Sequence, residues 1–318
     1  MKRILVPLDG SDLAERALPL AARLADLHGA EVLLLDAAAN PTAWDAGTGA
    51  ELCYSAAHGY VTGVAATVLE RYGVTAIRRV SMLPPVEAIL QHAAEPEVVA
   101  IVMATHARDG LPRLMMGSVA EQVVRNAPVS VYLLPVRVSA AFTHPRLRRI
   151  LVPLDGSQIA HAVLAPIAEL ASIAQAEVRL VRVFGDEDGF GPETFDETLD
   201  ETFAHRQARL DAAARAYFEP VREHLAHLGI GSTAAWSTGP AGDAILSAAE
   251  RYEVQLIAMG THGRAGLDRI HHGSVAEHVL RHAKVPVMTF GREALKRLAA
   301  GVGPAVDQRR VRPSLGAL

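Results

Sequence analysis

"RILVPLDGS" occupies residues 3–11 and recurs without a change at residues 149–157. The apolar run "ILVPL" is too short for a helix and reads as a strand buried on both faces; Asp-Gly then turns the chain, and "DLAERALPLAARLADLHG" follows with apolar residues three and four apart, a helix pattern. Each copy therefore opens with a strand, a turn and a helix. Further on, "GSVAE" recurs at 117–121 and 273–277, so the offset between copies grows from 146 to 156. The ten added residues fall most naturally in "GDEDGFGPETFDETLDETF", residues 185–203, which has no Lys or Arg. That segment reads as a solvated loop running into a helix start, with an acidic docking segment as the alternative.

The rest of each copy keeps the alternation. "EVLLLDA", "VVAIVMA" and "VSVYLLPV" in the first copy, and "EVRLVRV", "VQLIAMG" and "VPVMTFG" in the second, read as further strands. Between strands, stretches such as "PVEAILQHAAEP" have helical spacing. Strands alternating with helices predict an α/β fold with a parallel sheet, covered on both faces and linked by right-handed crossovers. In such sheets ligands settle at the carboxyl ends of the strands, where strand order reverses. The loops after the first and fourth strands of each copy are thus the candidate sites.

Length and composition agree with two soluble domains. The chain has 318 residues, half apolar and 21% charged, enough for two cores. A net charge of −4 argues against a general nucleic-acid binder, which needs a basic surface. A single cysteine, Cys53, excludes an intrachain disulfide and a cysteine-based zinc cage. The N-terminus reaches Pro7 and Asp9 too early for a signal-peptide apolar region, and no uncharged apolar run of about 18 residues follows. These features predict a cytoplasmic location and no membrane role.

The two loops carry the candidate chemistry. In "PLDGS" the Asp (Asp9 or Asp155) sits at the strand end, and Ser11 or Ser157 can cap the next helix. That carboxylate can also accept from a base amino group or a ribose hydroxyl, or hold a phosphate-bound metal. The fourth-strand loop reads "GTHGRAGLDRIHHGS" at 260–274 and "ATHARDGLPRLMMGS" at 104–118. Glycines let backbone N–H groups approach anionic oxygens, and a helix N-terminus adds free donors and a favourable dipole. The spacing is neither a Walker A loop nor a dinucleotide fingerprint.

Taken together, these residues resemble the universal stress protein family: "RILVPLDGS", a Val at the end of strand two, and G-x2-G-x9-G-[ST] before the last helix and strand. The resemblance covers roughly residues 2–137 and 148–291, and the chain is identified as a tandem member. It implies two flavodoxin-like or Rossmann-like domains, each a five-stranded parallel sheet with helices on both faces. The expected layout is domain 1 at 1–138, a linker at 139–147, domain 2 at 148–291 and a tail at 292–318. The family is usually dimeric, so the two copies are expected to pair as an internal pseudo-dimer, a homodimer being the other arrangement.

The resemblance also implies ATP, with Mg2+ held by way of its phosphates at Asp155. In the second copy the implied nucleotide site is Pro153, Leu154, Asp155, Val183, Met259, Gly260, Gly263, Gly273, Ser274 and Val275. His262 and Arg264 join by position and charge. The matching first-copy residues are Pro7, Leu8, Asp9, Ala37, Met103, Ala104, Ala107, Gly117, Ser118 and Val119. Ala37 replaces the Val there, and Ala104 and Ala107 replace two glycines. If either glycine needs φ > 0, alanine is strained by roughly 1 kcal/mol; if close approach is the requirement, a methyl pushes a phosphate away. The second site is therefore expected to be the tighter.

Other features receive plainer readings. His278 and His282 stand four apart with His271 and His272 nearby, but no carboxylate or cysteine spacing completes a metal site. "VSVYL" and "VPVMTF" are candidates for edge pairing between copies. The tail begins as an amphipathic helix and turns Gly-, Pro- and Arg-rich, the pattern of a disordered or docking arm. No nucleophile elbow, catalytic triad or two-metal carboxylate cluster is present. Three functional classes remain: a nucleotide-binding regulatory module with an unidentified protein partner, a slow ATP hydrolase or self-phosphorylating enzyme, and a nucleotide-free scaffold.

Overall fold

The structure, a computed structural model, describes residues 1–37, 48–105, 117–139, 146–157, 161–185, 203–261 and 274–301. The first half runs β1 (Arg3–Leu8), α1 (Asp12–Glu15), α2 (Leu18–His28), β2 (Glu31–Ala37), α3 (Thr48–Tyr72), β3 (Ala76–Ser81), α4 (Pro85–Ala93), β4 (Val98–Ala104), α5 (Ser118–Asn126) and β5 (Ser130–Leu134). The second repeats it: β6 (Arg149–Pro153), α6 (Leu164–Ala174), β7 (Glu177–Phe184), α7 (Phe203–His227), β8 (Ser232–Thr238), α8 (Ala241–Arg251), β9 (Leu256–Gly260), α9 (Ser274–His282) and β10 (Val287–Phe290), closed by α10 (Arg292–Gly301).

The ten strands among the described residues form one sheet, in the order β3-β2-β1-β4-β5-β10-β9-β6-β7-β8. Within each half the ladders are parallel, and the two halves meet where β5 and β10 pair antiparallel, Val131 opposite Thr289 and Leu133 opposite Val287. Thr289 Oγ1 donates to the Val131 carbonyl across this seam at 3.1 Å. The edge-pairing expectation for "VSVYL" and "VPVMTF" is thus realised inside the chain. Of the two doubly wound orders the resemblance allows, each half adopts 3-2-1-4-5, which reverses between its first and fourth strands.

Alternation along the strands builds two cores. Ile4, Val6, Val32 and Leu34 face the layer of α2, α3, α6 and α7, whereas Leu5, Leu33 and Leu35 face that of α4, α5, α8 and α9. Both cores run unbroken across the seam, and each fully buried Leu or Ile contributes roughly 1.5–3 kcal/mol. Lys2 and Glu169 add an exposed ion pair between the halves at 3.6 Å.

One expectation needs amendment. The stretch read as one helix after "PLDGS" is two, α1 and α2, because Pro19 sits in the first turn of α2 and cannot continue a preceding helix. The tail begins as the amphipathic helix expected: in α10, Ala294 and Leu295 are buried, and the helix packs against α5 of the other half. Residues 302–318 and most of the acidic segment lie outside the described residues.

Candidate functional site

The prolines of "ILVPL" shape the site. β1 pairs with β4 only through Leu5, and β6 with β9 only through Leu151, so in each half the fourth-strand ladder stops two residues before the proline. Proline has no N–H to give a ladder. Pro7 and Pro153 pair only on their other side, with Leu35 and Val181, and the strands diverge at the point of order reversal. In doubly wound sheets this is where a ligand crevice lies.

The next residues turn sharply. Gly10 and Gly156 have φ of 80° and 84°, a left-handed conformation that glycine adopts without a side-chain penalty. Asp9 Oδ1 accepts from the Ser11 N–H at 3.0 Å and its hydroxyl at 2.5 Å, and Asp155 Oδ1 accepts from the Ser157 N–H at 2.9 Å. Ser11 Oγ in turn accepts from the Ala14 N–H and caps α1. The Asp side chain therefore holds the turn at the carboxyl end of the first strand.

The other predicted positions divide into four groups. Leu8 and Leu154 are core side chains, 4% and 2% exposed, and offer a ligand only backbone. Ala37 and Val183 occupy matching places, each two residues past the partner of the proline, and both are partly exposed. Met103 with Val119, and Met259 with Val275, belong to the same apolar face as Ala37 and Val183. That face gives the crevice an apolar wall. Gly117, buried at the N-cap of α5, makes no side-chain cap, and Ser118 and Ser274 are exposed in the first turns of α5 and α9. Ala107, His262, Gly263, Arg264, His271, His272 and Gly273 lie outside the described residues.

Gly260 is not a strained position. It is the last residue of β9, paired with Phe290, and does not have positive φ; Ala104 sits in the same place in β4, paired with Leu134. Backbone strain therefore does not distinguish glycine from alanine here, and close approach is the remaining reason. The shared Thr is structural. Thr105 and Thr261 are buried, and each donates its N–H and its hydroxyl to the last carbonyl of the final strand, Leu134 or Phe290.

One difference between the halves escaped the sequence reading. Beside Asp9, the Tyr60 hydroxyl donates to Glu15 at 2.9 Å, and burial raises its pKa, with Glu15, Asp36 and Asp9 adding to the shift. Beside Asp155, Tyr217 lies 3.3 Å from His161, and the Arg182 guanidinium stacks on the Tyr217 and Phe184 rings at 4.2 and 4.8 Å. At the constant offset of 146, His161 stands where the first half has Glu15, and Arg182 where it has Asp36. The first crevice is flanked by carboxylates and the second by basic groups. The signal was legible in the repeat, but only folding shows that these positions gather around the strand-one Asp.

Burial lowers the His161 pKa below its ordinary 6.5; Asp155 partly offsets this, and Arg182 adds to it. His28 is lowered in the same sense, by burial and Lys2 against Glu169. The unfolded chain thus takes up protons near pH 6.5 that the folded chain accepts only at lower pH. Stability is then complete above that value and is lost as pH falls below it. Urea unfolding at pH 7.5 and about 5.5 is expected to show a smaller loss for His161→Gln than for the wild type; equal losses refute the assignment.

His278 and His282 have hydrogen-bond partners within the chain. His278 Nε2 bonds Asp243 at 2.8 Å and His282 Nδ1 bonds the His278 carbonyl at 2.9 Å, and no metal-binding cluster occurs among the described residues. Among them, too, no helix is long and apolar enough to cross a membrane.

Known proteins share this architecture. Universal stress protein Rv2005c of Mycobacterium tuberculosis is 28% identical over 204 residues, covering 64% of this chain and 65% of that protein. The chain thus spans about two thirds of the length of that relative. Universal stress protein MJ0577 of Methanocaldococcus jannaschii is 24% identical over 155 residues, 46% of this chain and 96% of that protein. The crystal structure of a universal stress protein from Archaeoglobus fulgidus superposes with a TM-score of 0.68 at 21% identity, covering 91% of this chain and 98% of that one. The model of the universal stress protein family matches residues 1–135 and again 146–290, and the chain belongs to that family as a tandem member.

Proposed function

We propose that the chain is a nucleotide-binding regulatory module that takes ATP in the crevice of its second half and binds it weakly or not at all in the first. The difference in charge around the two Asp residues carries this reading: the Arg182 cation and a neutral His161 flank Asp155, whereas two carboxylates, Glu15 and Asp36, stand near Asp9. A triphosphate is attracted to the Arg182 guanidinium and repelled by Glu15 and Asp36, by about 1 kcal/mol for each charge about 4 Å away in water and more where water is excluded, while His161, its pKa lowered by burial, is neutral near pH 7 and only removes a carboxylate from that place. The rest of the second crevice fits the ligand class. Val183 and Val275 give apolar surface for a base, Asp155 has acceptor capacity for sugar or base hydrogens, and Ser274 begins a helix whose N-terminus favours an anion. Mg2+ would be held through the phosphates, with Asp155 as the carboxylate at hand.

Calorimetric titration of the full chain with Mg2+ and ATP is expected to show one dominant site, with any second site at least about tenfold weaker. Two equal sites would overturn the asymmetry, and no heat of binding would leave the scaffold reading in its place. Steady ADP release above a no-protein control, abolished by Asp155→Asn, would move the protein into the hydrolase class.

A further inference from the structure

A second cavity lies at the other end of the sheet. It has a volume of about 730 Å3 and is walled by both halves: α2, the last turn of α3, the residues leading into β6, and the end of α6. These segments all precede strands or run back from their carboxyl ends, so the cavity sits at the amino ends of the strands, away from the nucleotide crevices. Its size is within the range of small-molecule sites.

Its walls carry four arginines, Arg23, Arg71, Arg146 and Arg148, against one acidic residue, Asp26. Asp26 is taken by Arg23 at 2.7 Å. Arg71, Arg146 and Arg148 form no ion pair among the described residues. Three guanidinium groups without an ion pair among the described residues, around one opening, run against the sign of the whole chain, whose net charge is −4. Like charges gathered in this way repel one another unless an anion joins them, and guanidinium is the side chain best matched to phosphate, which it grips through two parallel hydrogen bonds.

We infer that this cavity between the halves is a binding site for a small ligand carrying a chain of two or more phosphates. Arg71 comes from the first half, Arg148 from the second and Arg146 from the linker joining them, so a bound polyphosphate would bridge the halves opposite the β5–β10 seam. Binding would therefore stabilise their association, and affinity would fall as salt screens the charges. The site is independent of the nucleotide crevice and stands whether or not that crevice takes ATP.

The probe is inorganic tripolyphosphate, titrated calorimetrically into the full chain at low salt. Saturable binding is expected, weakened at least about tenfold in Arg71→Gln/Arg148→Gln, while Mg2+–ATP affinity stays as in the wild type. All three arginines are exposed, so the variant should keep the wild-type unfolding midpoint without ligand; Arg146→Gln alone provides a second variant if it does not. Binding that survives the substitutions and is displaced by Mg2+–ATP would place the probe in the nucleotide crevice and overturn the inference. Absence of saturable binding would overturn it as well.

Discussion

Gly291→Ala is expected to destabilise the full chain by about 3 kcal/mol, near the upper end of what overpacking costs, and to lower its thermal unfolding midpoint accordingly. Gly291 follows β10 at the seam. A Cβ there would lie 1.9 Å from the Val124 carbonyl oxygen and 3.0 Å from that of Arg125, both in the last turn of α5 in the other half. Those atoms are backbone, held in a helix whose end is fastened by the Ala127 N–H to Val123 carbonyl bond at 2.8 Å, so no side-chain rotation relieves the contact. The halves would have to separate at β5 and β10, loosening two cores that run through the seam. An unchanged midpoint in a thermal scan would show that the approach is not as close as the structure has it.

Gly260→Ala with Gly263→Ala is expected to lower ATP affinity at least tenfold, equivalent to about 1.4 kcal/mol, towards that of the first half. The structure changes the reason for this expectation. Gly260 is extended and paired with Phe290, so alanine meets no backbone strain there, and the folded protein should keep its stability. What alanine adds is a methyl at the mouth of the crevice, beside the place proposed for ribose and phosphates. Equal ATP affinity in variant and wild type, at equal thermal midpoints, would remove close backbone approach from the account and leave the charge around Asp155 as the source of asymmetry.

Much of the fold was legible because buried parallel strands are written as short apolar runs, and eight strands follow from such runs. β3, "AIRRVS", and β8, "STAAWST", contain no such run. They are the outer strands of the sheet and half exposed, so the apolar signal is diluted in both. The Asp turn, the helix cap at Ser11 and the matching of Ala37 with Val183 were also readable, since each depends on residues close in the chain or on the repeat. Thr105 and Thr261 looked like part of the loop motif, yet they tie the loop's base to the final strand, a contact 29 residues away in sequence.

By itself the sequence determined the repeat, the alternation of strand and helix, and the residues gathered at the ends of the first and fourth strands. These are local matters of periodicity, turn chemistry and capping, which neighbours along the chain decide. Only the tertiary structure decided that β5 and β10 join two sheets into one, that Gly291 must be small, and that Glu15 and Asp36 in one half answer to His161 and Arg182 in the other. Those features come from residues brought together across the fold, where packing distance and charge, rather than spacing along the chain, set what each residue does.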